Sequence, residues 1–240
     1  MLSLDHVSFS VSTENGKKQI LKNVSFTIDR PFTVITGPNG GGKSTIAKLI
    51  AGIYRPDSGK IFLNGKDITD LGVTERAKSG VSYAFQTPVR FKGITVSDIL
   101  KIAAGRNLSV AESCEFLSSV GLCARDYLDR EINNSLSGGE LKRIEIATVL
   151  ARKTPLAGFD EPEAGIDLWS FNSLIKVFEN MRDAVHGSIV IISHQERILN
   201  IADRIIVISD GTVKTTGTRE EILPSLFSGE KLCDALKEKV

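Results

Sequence analysis

Apolar and polar residues alternate along the first part of the chain, a pattern typical of β-strands with one buried face. The apolar positions of this alternation are Leu2, Leu4, Val7, Phe9 and Val11. Polar residues at 14–17 predict a turn, and a second strand-like run follows at 20–28. A compact apolar segment at 32–36 predicts one more strand. Residues 1–36 are therefore predicted to form short strands.

The pattern becomes helical after the glycine-rich stretch that begins at Gly37. Apolar residues there recur every three or four positions, and Gly52 is suited to end the helix. A strand at 59–63 and the dipeptide Asn64-Gly65 then predict a hairpin.

The second half of the chain changes from helices to alternating strands and helices. Residues 93–153 are predicted to be almost entirely helical. The elements predicted after them are a strand that ends at Asp160, a helix at 168–181 and strands at 188–193 and 205–209. This alternation predicts an α/β fold with a mostly parallel, doubly wound sheet, into which the helical stretch is inserted.

Composition narrows the class of protein but not its chemistry. The 240 residues are 41% hydrophobic and 25% charged, as expected of a globular domain rather than a disordered chain or a coiled coil. Thirty Lys and Arg residues against 29 Asp and Glu residues give a formal charge of +1. That balance disfavours nucleic acid or an anionic membrane as the main partner.

Cysteines and apolar runs predict the compartment. Cys114, Cys123 and Cys233 have no metal-binding spacing, which predicts reduced thiols. The longest apolar runs have strand length, far below the ~20 residues that span a bilayer. Asp5 and His6 interrupt the region where a signal peptide would be apolar. A cytoplasmic protein without direct membrane insertion is predicted.

The strongest chemical signal is the run GPNGGGKST at residues 37–45. It matches the phosphate-binding pattern G-x-x-x-x-G-K-[ST] and lies between a predicted strand and a predicted helix. Glycines let backbone N–H groups surround phosphates, and the helix N-terminus adds a positive dipole end. Lys43 would neutralise phosphates and the Ser44 hydroxyl would bind Mg²⁺. The predicted nucleotide-binding residues are Gly37, Pro38, Asn39, Gly40, Gly41, Gly42, Lys43, Ser44 and Thr45.

A second chemical signal is the pair of acids at the end of the strand that precedes residue 161. Open α/β sheets bind ligands at the carboxyl ends of their strands. Asp160 is suited to hold Mg²⁺ and Glu161 to act as general base toward water. Gly158 weakens this strand, and the sequence offers no firm reason for it.

The segment Leu136-Ser137-Gly138-Gly139-Glu140 resembles the signature motif of ABC-type ATPases. The other motifs of that family follow in order, with Gln86 in the Q-loop, Asp167 in the D-loop and His194 as the switch histidine. The resemblance implies a P-loop NTPase fold with an N-terminal antiparallel β subdomain and an inserted helical subdomain. It further implies one ATPase domain over 1–240, divided into 1–92, 93–153 and 154–240.

The resemblance also implies a mechanism, ATP + H2O to ADP + phosphate, in a head-to-tail dimer that sandwiches each ATP. Ser137 and Gly139 would donate to the γ-phosphate bound by the other copy, and Asp167 would act across the interface. The implied catalytic residues are Glu161, His194, Lys43 and Gln86, and the implied Mg²⁺ ligands are Ser44, Gln86 and Asp160. The sequence departs from the family at Val11, where the family usually stacks an aromatic ring on adenine.

Most members of this family power transporters, but several residues resemble a different branch. The run SGGELKRIEI at 137–146 resembles the SGGE-x-KR-x-E-I pattern of the SufC ATPases, which serve iron–sulfur cluster assembly. The stretch around Gln86 and the acid Glu163 are also similar to that branch. This resemblance implies an ATPase that drives a SufB/SufD-like scaffold protein.

The alternative is the ATPase subunit of an ABC membrane transporter, with a transmembrane subunit as its partner. In either case residues 86–99 are the expected docking surface, although Arg90, Phe91 and Lys92 equally fit a solvated turn. A clamp that binds ATP without hydrolysis is disfavoured by Glu161, because such sites commonly lack the base.

Overall fold

The structure is a computed structural model, and it describes residues 1–14, 16–166, 168–184 and 187–227. Its strands are β1 (Leu2–Thr13), β2 (Gly16–Ile28), β3 (Phe32–Thr36), β4 (Ser58–Leu63), β5 (Lys66–Asp67), β6 (Val81–Ala84), β7 (Leu156–Asp160), β8 (Ser188–Ile192), β9 (Arg204–Ser209) and β10 (Thr212–Gly217). Its helices are α1 (Lys43–Ala51), α2 (Val73–Lys78), α3 (Val96–Ala104), α4 (Val110–Ser119), α5 (Ala124–Tyr127), α6 (Gly138–Arg152), α7 (Leu168–Ala184), α8 (Glu196–Leu199) and α9 (Arg219–Phe227).

The chain divides into two units, the first of which takes the described residues of 1–70 and 192–227. Here β2, β1, β4 and β5 form an antiparallel sheet in that order. In the same unit β3 pairs in parallel with β9, and β9 pairs antiparallel with β10. Every residue of β3 is buried, as expected of a parallel strand covered on both faces.

The second unit takes the described residues of 71–191 and contains the predicted helical insertion. β6 and β7 are parallel neighbours, and β8 lies on the other side of β7. The helices α3 and α4 pack against α6, the longest helix of the insertion. The parallel pairs and the antiparallel sheet confirm the predicted fold class.

The N-terminal strands are longer than predicted. β1 has 12 residues and β2 has 13, so the prediction of short strands at 1–36 is wrong in length. The pairing register shifts three times between Leu4 and Ser10, and His6 has a left-handed φ of 51°. These bulges break the alternation of apolar residues but let one strand continue through it. The sequence reasoning also did not predict β6, β10 and α2.

Gly158, unexplained by the sequence, is a point of close packing between β6 and β7. It lies opposite Tyr83 in the parallel register of these strands. A Cβ atom at Gly158 would lie 2.2 Å from Cε2 of Tyr83, so the aromatic ring occupies the place of a side chain. Among the described residues, no helix combines the length and the apolar character needed to cross a membrane.

Candidate active site

The phosphate-binding loop of the first unit is shaped by its own backbone. Gly37, directly after β3, has φ 133°, and a Cβ atom there would lie 1.9 Å from the carbonyl oxygen of Ile208. Gly42 precedes α1 with φ 107° and caps it without a side-chain hydrogen bond. The first turn of α1 has no acidic residue. Its N–H groups are therefore available to an anion without competition from a capping side chain.

Lys43 brings a positive charge into this loop. Its side chain is buried, and Nζ donates to the carbonyl oxygens of Gly37 at 2.7 Å and Pro38 at 2.9 Å. A Cβ atom at Gly40 would meet nothing within 4 Å, so the loop has an open side. Ser44 follows with an exposed hydroxyl, a hard oxygen donor suited to Mg²⁺. These features fit the phosphates of a nucleotide and its metal ion.

His194 belongs to the same unit and follows the end of β8. The preceding residue, Ser193, is fully buried, and its N–H donates to the carbonyl oxygen of Ile35 at 3.2 Å. Ile35 lies in β3, two residues before the loop begins. His194 itself is exposed.

The acidic residues lie at the end of β7 in the second unit. Asp160 is buried, whereas Glu161 is partly exposed and has a left-handed φ of 43°. Gln86 follows β6, the neighbouring parallel strand, and its Nε2 donates to Oε2 of Glu161 at 2.5 Å. A non-glycine residue in this conformation costs about 1–3 kcal/mol and persists where the surroundings require it. The structure therefore brings Gln86 and Glu161 into direct contact.

Tyr83 of β6 senses the charge of Asp160. Burial, and next the negative charge of Asp160, raise the pKa of the Tyr83 phenol.

The signature turn begins α6, also in the second unit. Ser137 caps the helix, with its N–H donating to Oε2 of Glu140 at 2.7 Å and its Oγ accepting from the Glu140 N–H at 3.2 Å. The Tyr127 hydroxyl donates to the other carboxylate oxygen of Glu140, and Arg130 pairs with that oxygen at 3.5 Å. The Tyr127 hydrogen bond is the main reason that the pKa of Glu140 falls to about 2.

Space is open around the signature glycines. A Cβ atom at Gly138 or Gly139 would meet nothing within 4 Å. A cavity of about 510 Å³ opens here. It is lined by Gly121, Leu122, Tyr127, Ser137, Gly138, Gly139, Glu140, Arg143 and Gly165.

The structure distributes the predicted residues between the two units. The first holds the loop at 37–45 and His194, and the second holds Gln86, Ser137, Gly139, Asp160 and Glu161. Asp167 and Cys233, named above for the D-loop and among the thiols, lie outside the described residues. Phe9, two residues before Val11, stacks its ring on Tyr54, with 4.9 Å between ring centroids.

Sequence reasoning gave no role to Tyr127, Arg130, Lys142 and Glu145, which hold the signature turn and the main chain before Gln86 in place. Lys142 and Glu145 had a signal, since both belong to the motif run at 137–146. Tyr127 and Arg130 had none, because their contacts depend on how the loop before α6 folds back.

A phosphate loop before a helix, followed by paired acids at a strand end, defines a P-loop nucleotide hydrolase. The family described as ABC transporter matches residues 21–164. An uncharacterized ABC transporter ATP-binding protein of Methanocaldococcus jannaschii is 40% identical over 216 residues, 86% of each chain. The probable ATP-dependent transporter ycf16 of Pyropia yezoensis is 34% identical over 220 residues, 85% of this chain and 87% of that one.

A solved structure has the same fold. It is the dimer of an ATP-binding cassette in a post-hydrolysis state, bound to ADP and Pi, with a TM-score of 0.81 and 23% identity. The match covers 91% of this chain and 99% of that chain. The chain belongs to the ABC ATPase family, and it is an ATPase that uses ATP and Mg²⁺. Both relatives are named as transport proteins, and neither name refers to iron–sulfur cluster assembly.

Proposed function

We propose that this chain is the ATP-hydrolysing subunit of an ABC transporter. It lies in the cytoplasm and acts on a separate subunit that spans the membrane. The observation that carries this proposal is the 40% identity, over most of both chains, to a protein named as an ABC transporter ATP-binding protein. A role in transport is therefore favoured over the role in iron–sulfur cluster assembly that the sequence motifs suggested.

Each site residue receives a role in this proposal. Lys43 and the loop N–H groups would bind the phosphates, and Ser44, Asp160 and Gln86 would hold Mg²⁺, whose charge would offset that of the phosphates when it is bound. Glu161 takes a proton from the attacking water, and its partly exposed carboxylate at a strand end is suited to that.

The remaining roles concern the γ-phosphate and the second copy. His194 contacts the γ-phosphate. Ser137 and Gly139 donate to the γ-phosphate held by a second copy in a head-to-tail dimer, and the open space at the signature glycines supports such an approach. The dimeric ATP-binding cassette with the same fold supports this arrangement.

A groove beside Gln86 supports docking of a partner. It has a volume of about 210 Å³ and an apolar lining that includes Pro88, Val89, Phe91 and Ile99. Val89 is 62% exposed and Phe91 is 38% exposed, which is unusual for large apolar side chains. These residues fall within the docking surface predicted at 86–99.

Iron–sulfur cluster assembly with a SufB/SufD-like scaffold is the second candidate. Its support is the resemblance of the run SGGELKRIEI at 137–146 to the pattern of the SufC ATPases. The names of the two relatives do not add to that support.

A pull-down of the tagged full chain, followed by ATPase assay of the recovered complex, separates the two candidates. Recovery of a multi-span membrane protein that stimulates turnover supports the transporter. Recovery of a soluble, cysteine-bearing partner that stimulates turnover supports the scaffold and refutes the transporter.

The groove provides a matched pair of variants for this experiment. Val89→Asp is expected to abolish recovery of the partner, because a charge enters an apolar contact. Val110→Asp, which changes a 72% exposed valine at the start of α4, is expected to leave recovery unchanged. Equal recovery with both variants would contradict docking in the groove.

A further inference from the structure

Two side chains of α6 hold the main chain that carries Gln86. Nζ of Lys142 donates to the carbonyl oxygen of Phe85 at 2.6 Å, and the carboxylate of Glu145 also interacts with the Phe85 main chain. Lys142 and Glu145 also pair with each other, with 3.0 Å between Nζ and Oε2. Two side chains of one helix therefore act on the Phe85 main chain, with Lys142 bound to its carbonyl oxygen. We call Lys142 and Glu145 the Phe85 clamp.

The clamp is withdrawn from solvent, unlike an ordinary surface ion pair. The side chain of Lys142 is 1% exposed and that of Glu145 is 19% exposed. Charges in such surroundings are screened little, and a carbonyl that accepts from an ammonium group is held more tightly than one that accepts from a neutral donor. Burial raises the pKa of Glu145, and the charge of Lys142 opposes that rise. The pair thus fixes the backbone at Phe85.

The clamp stands at one end of a short series of contacts that reaches Glu161. Gln86 follows Phe85 directly, and its side-chain amide donates to the Glu161 carboxylate. Where this amide reaches depends on where the Phe85 main chain is held. A displacement of about 1 Å in a reacting group can cost two orders of magnitude in rate, so control of the backbone position matters for turnover.

We propose that Lys142 and Glu145 are positioning residues for ATP hydrolysis, which hold Gln86 against Glu161 through the main chain of Phe85. This inference rests on the roles proposed above for Gln86 and Glu161. Neither clamp residue touches a reacting group. Because both lie on α6, the clamp also connects Gln86 to the helix that begins with the signature turn.

The test is a double-mutant cycle in the full chain. Lys142→Met combined with Glu145→Gln removes both charges together, so no unpaired charge is left buried. We expect kcat to fall about tenfold while KM for ATP stays within about twofold. In a Gln86→Ala background the same two changes are expected to alter kcat by less than about twofold, since no amide remains to be positioned.

A matched control removes an ion pair elsewhere in the second unit. Glu112 pairs with Arg106 at 2.6 Å on the surface, and Glu112→Gln is expected to leave kcat and its response to Gln86→Ala unchanged. The melting temperature of each variant verifies that the chain is folded.

A purely structural role predicts equal losses of kcat with and without Gln86, and that result would overturn the clamp proposal. Wild-type kcat in the Lys142→Met/Glu145→Gln variant would overturn it as well. Wild-type kcat in both Gln86→Ala and Glu161→Gln would instead refute the proposed roles of these two residues. The failure of the inference is therefore distinguishable from failure of the proposed function.

Discussion

Two glycine-rich turns, each at the start of a helix, need their glycines for different reasons. In the first unit, a side chain at Gly37 would collide with the main chain of Ile208, and the φ of 133° is one that glycine favours. In the second unit, Gly138 and Gly139 have open space where a side chain would stand. The fold requires the first glycine and not the other two. The open space at the signature glycines is where we propose that the γ-phosphate of the second copy binds.

The two turns also differ in how they are held. The phosphate loop is held by its main chain and by Lys43, whose ammonium group binds two loop carbonyls. The signature turn is held by side chains, with Glu140 joined to Ser137, Tyr127 and Arg130. The Lys43 contacts join residues five and six positions apart, whereas Glu140 reaches Tyr127, 13 positions away.

The largest expected effect is a loss of turnover when Glu161 of the second unit is changed, while ATP binding by the phosphate loop of the first unit is retained. Glu161→Gln removes the proposed base but leaves the phosphate loop intact, so turnover should fall about 10²–10⁴-fold with ATP affinity within about twofold. Steady-state phosphate release and equilibrium binding of ATP measure the two quantities. Glu115→Gln, on the exposed face of α4, serves as the control. Undiminished turnover in Glu161→Gln would show that the base is elsewhere.

The next effect tests the difference between the glycines. Gly37→Ala should lower the free energy of unfolding by about 3 kcal/mol or more, because the methyl group meets a backbone carbonyl at a left-handed φ. Gly139→Ala should raise it by about 0.5–1 kcal/mol, as alanine favours the helix. Urea unfolding of both variants measures these changes.

The same pair of variants has opposite signatures in activity. Gly139→Ala is folded but should lose turnover, since the methyl group fills the space proposed for the γ-phosphate of the second copy. A Gly139→Ala protein with normal turnover would remove the functional reason for this glycine. A Gly37→Ala protein as stable as the wild type would remove the structural reason for the other.

The phosphate loop was predictable because its motif at residues 37–45 is contiguous in the sequence. The pair Asp160-Glu161 was identified in the same way, from the apolar strand directly before it. The contact between Lys142 and Phe85 joins residues 57 positions apart, and only the packing of α6 against β6 creates it. Gly158 is similar, because its reason is the ring of Tyr83 on a neighbouring strand.

Some errors have the same physical origin. The strands β1 and β2 continue through bulges whose pairing partners are distant in sequence, so the interrupted alternation suggested shorter strands. The stacking of Phe9 on Tyr54 likewise joins β1 to a residue after α1. The motifs predicted the candidate chemical residues, whereas the contacts that hold the signature turn could be identified only from the tertiary structure.

The smallest expected effect is a pH dependence of the free energy of unfolding that comes from Glu140 in the signature turn. The pKa of Glu140 is about 2 in the folded chain, below the usual 4.5, so its ionised form stabilises the fold above pH 4.5 and this stabilisation is lost as the pH falls toward 2. Glu140 is 26% exposed, and solvent screening reduces the contribution to about 1 kcal/mol.

Glu140→Gln should therefore be less stable than the wild type by that amount at pH 6, with the difference closing toward pH 2. Because the first turn of α1 has no acidic residue, the phosphate loop has no equivalent group to lose. Urea unfolding of both proteins across this range measures the gap, and a gap that stays constant with pH would show that the Glu140 charge does not hold the signature turn.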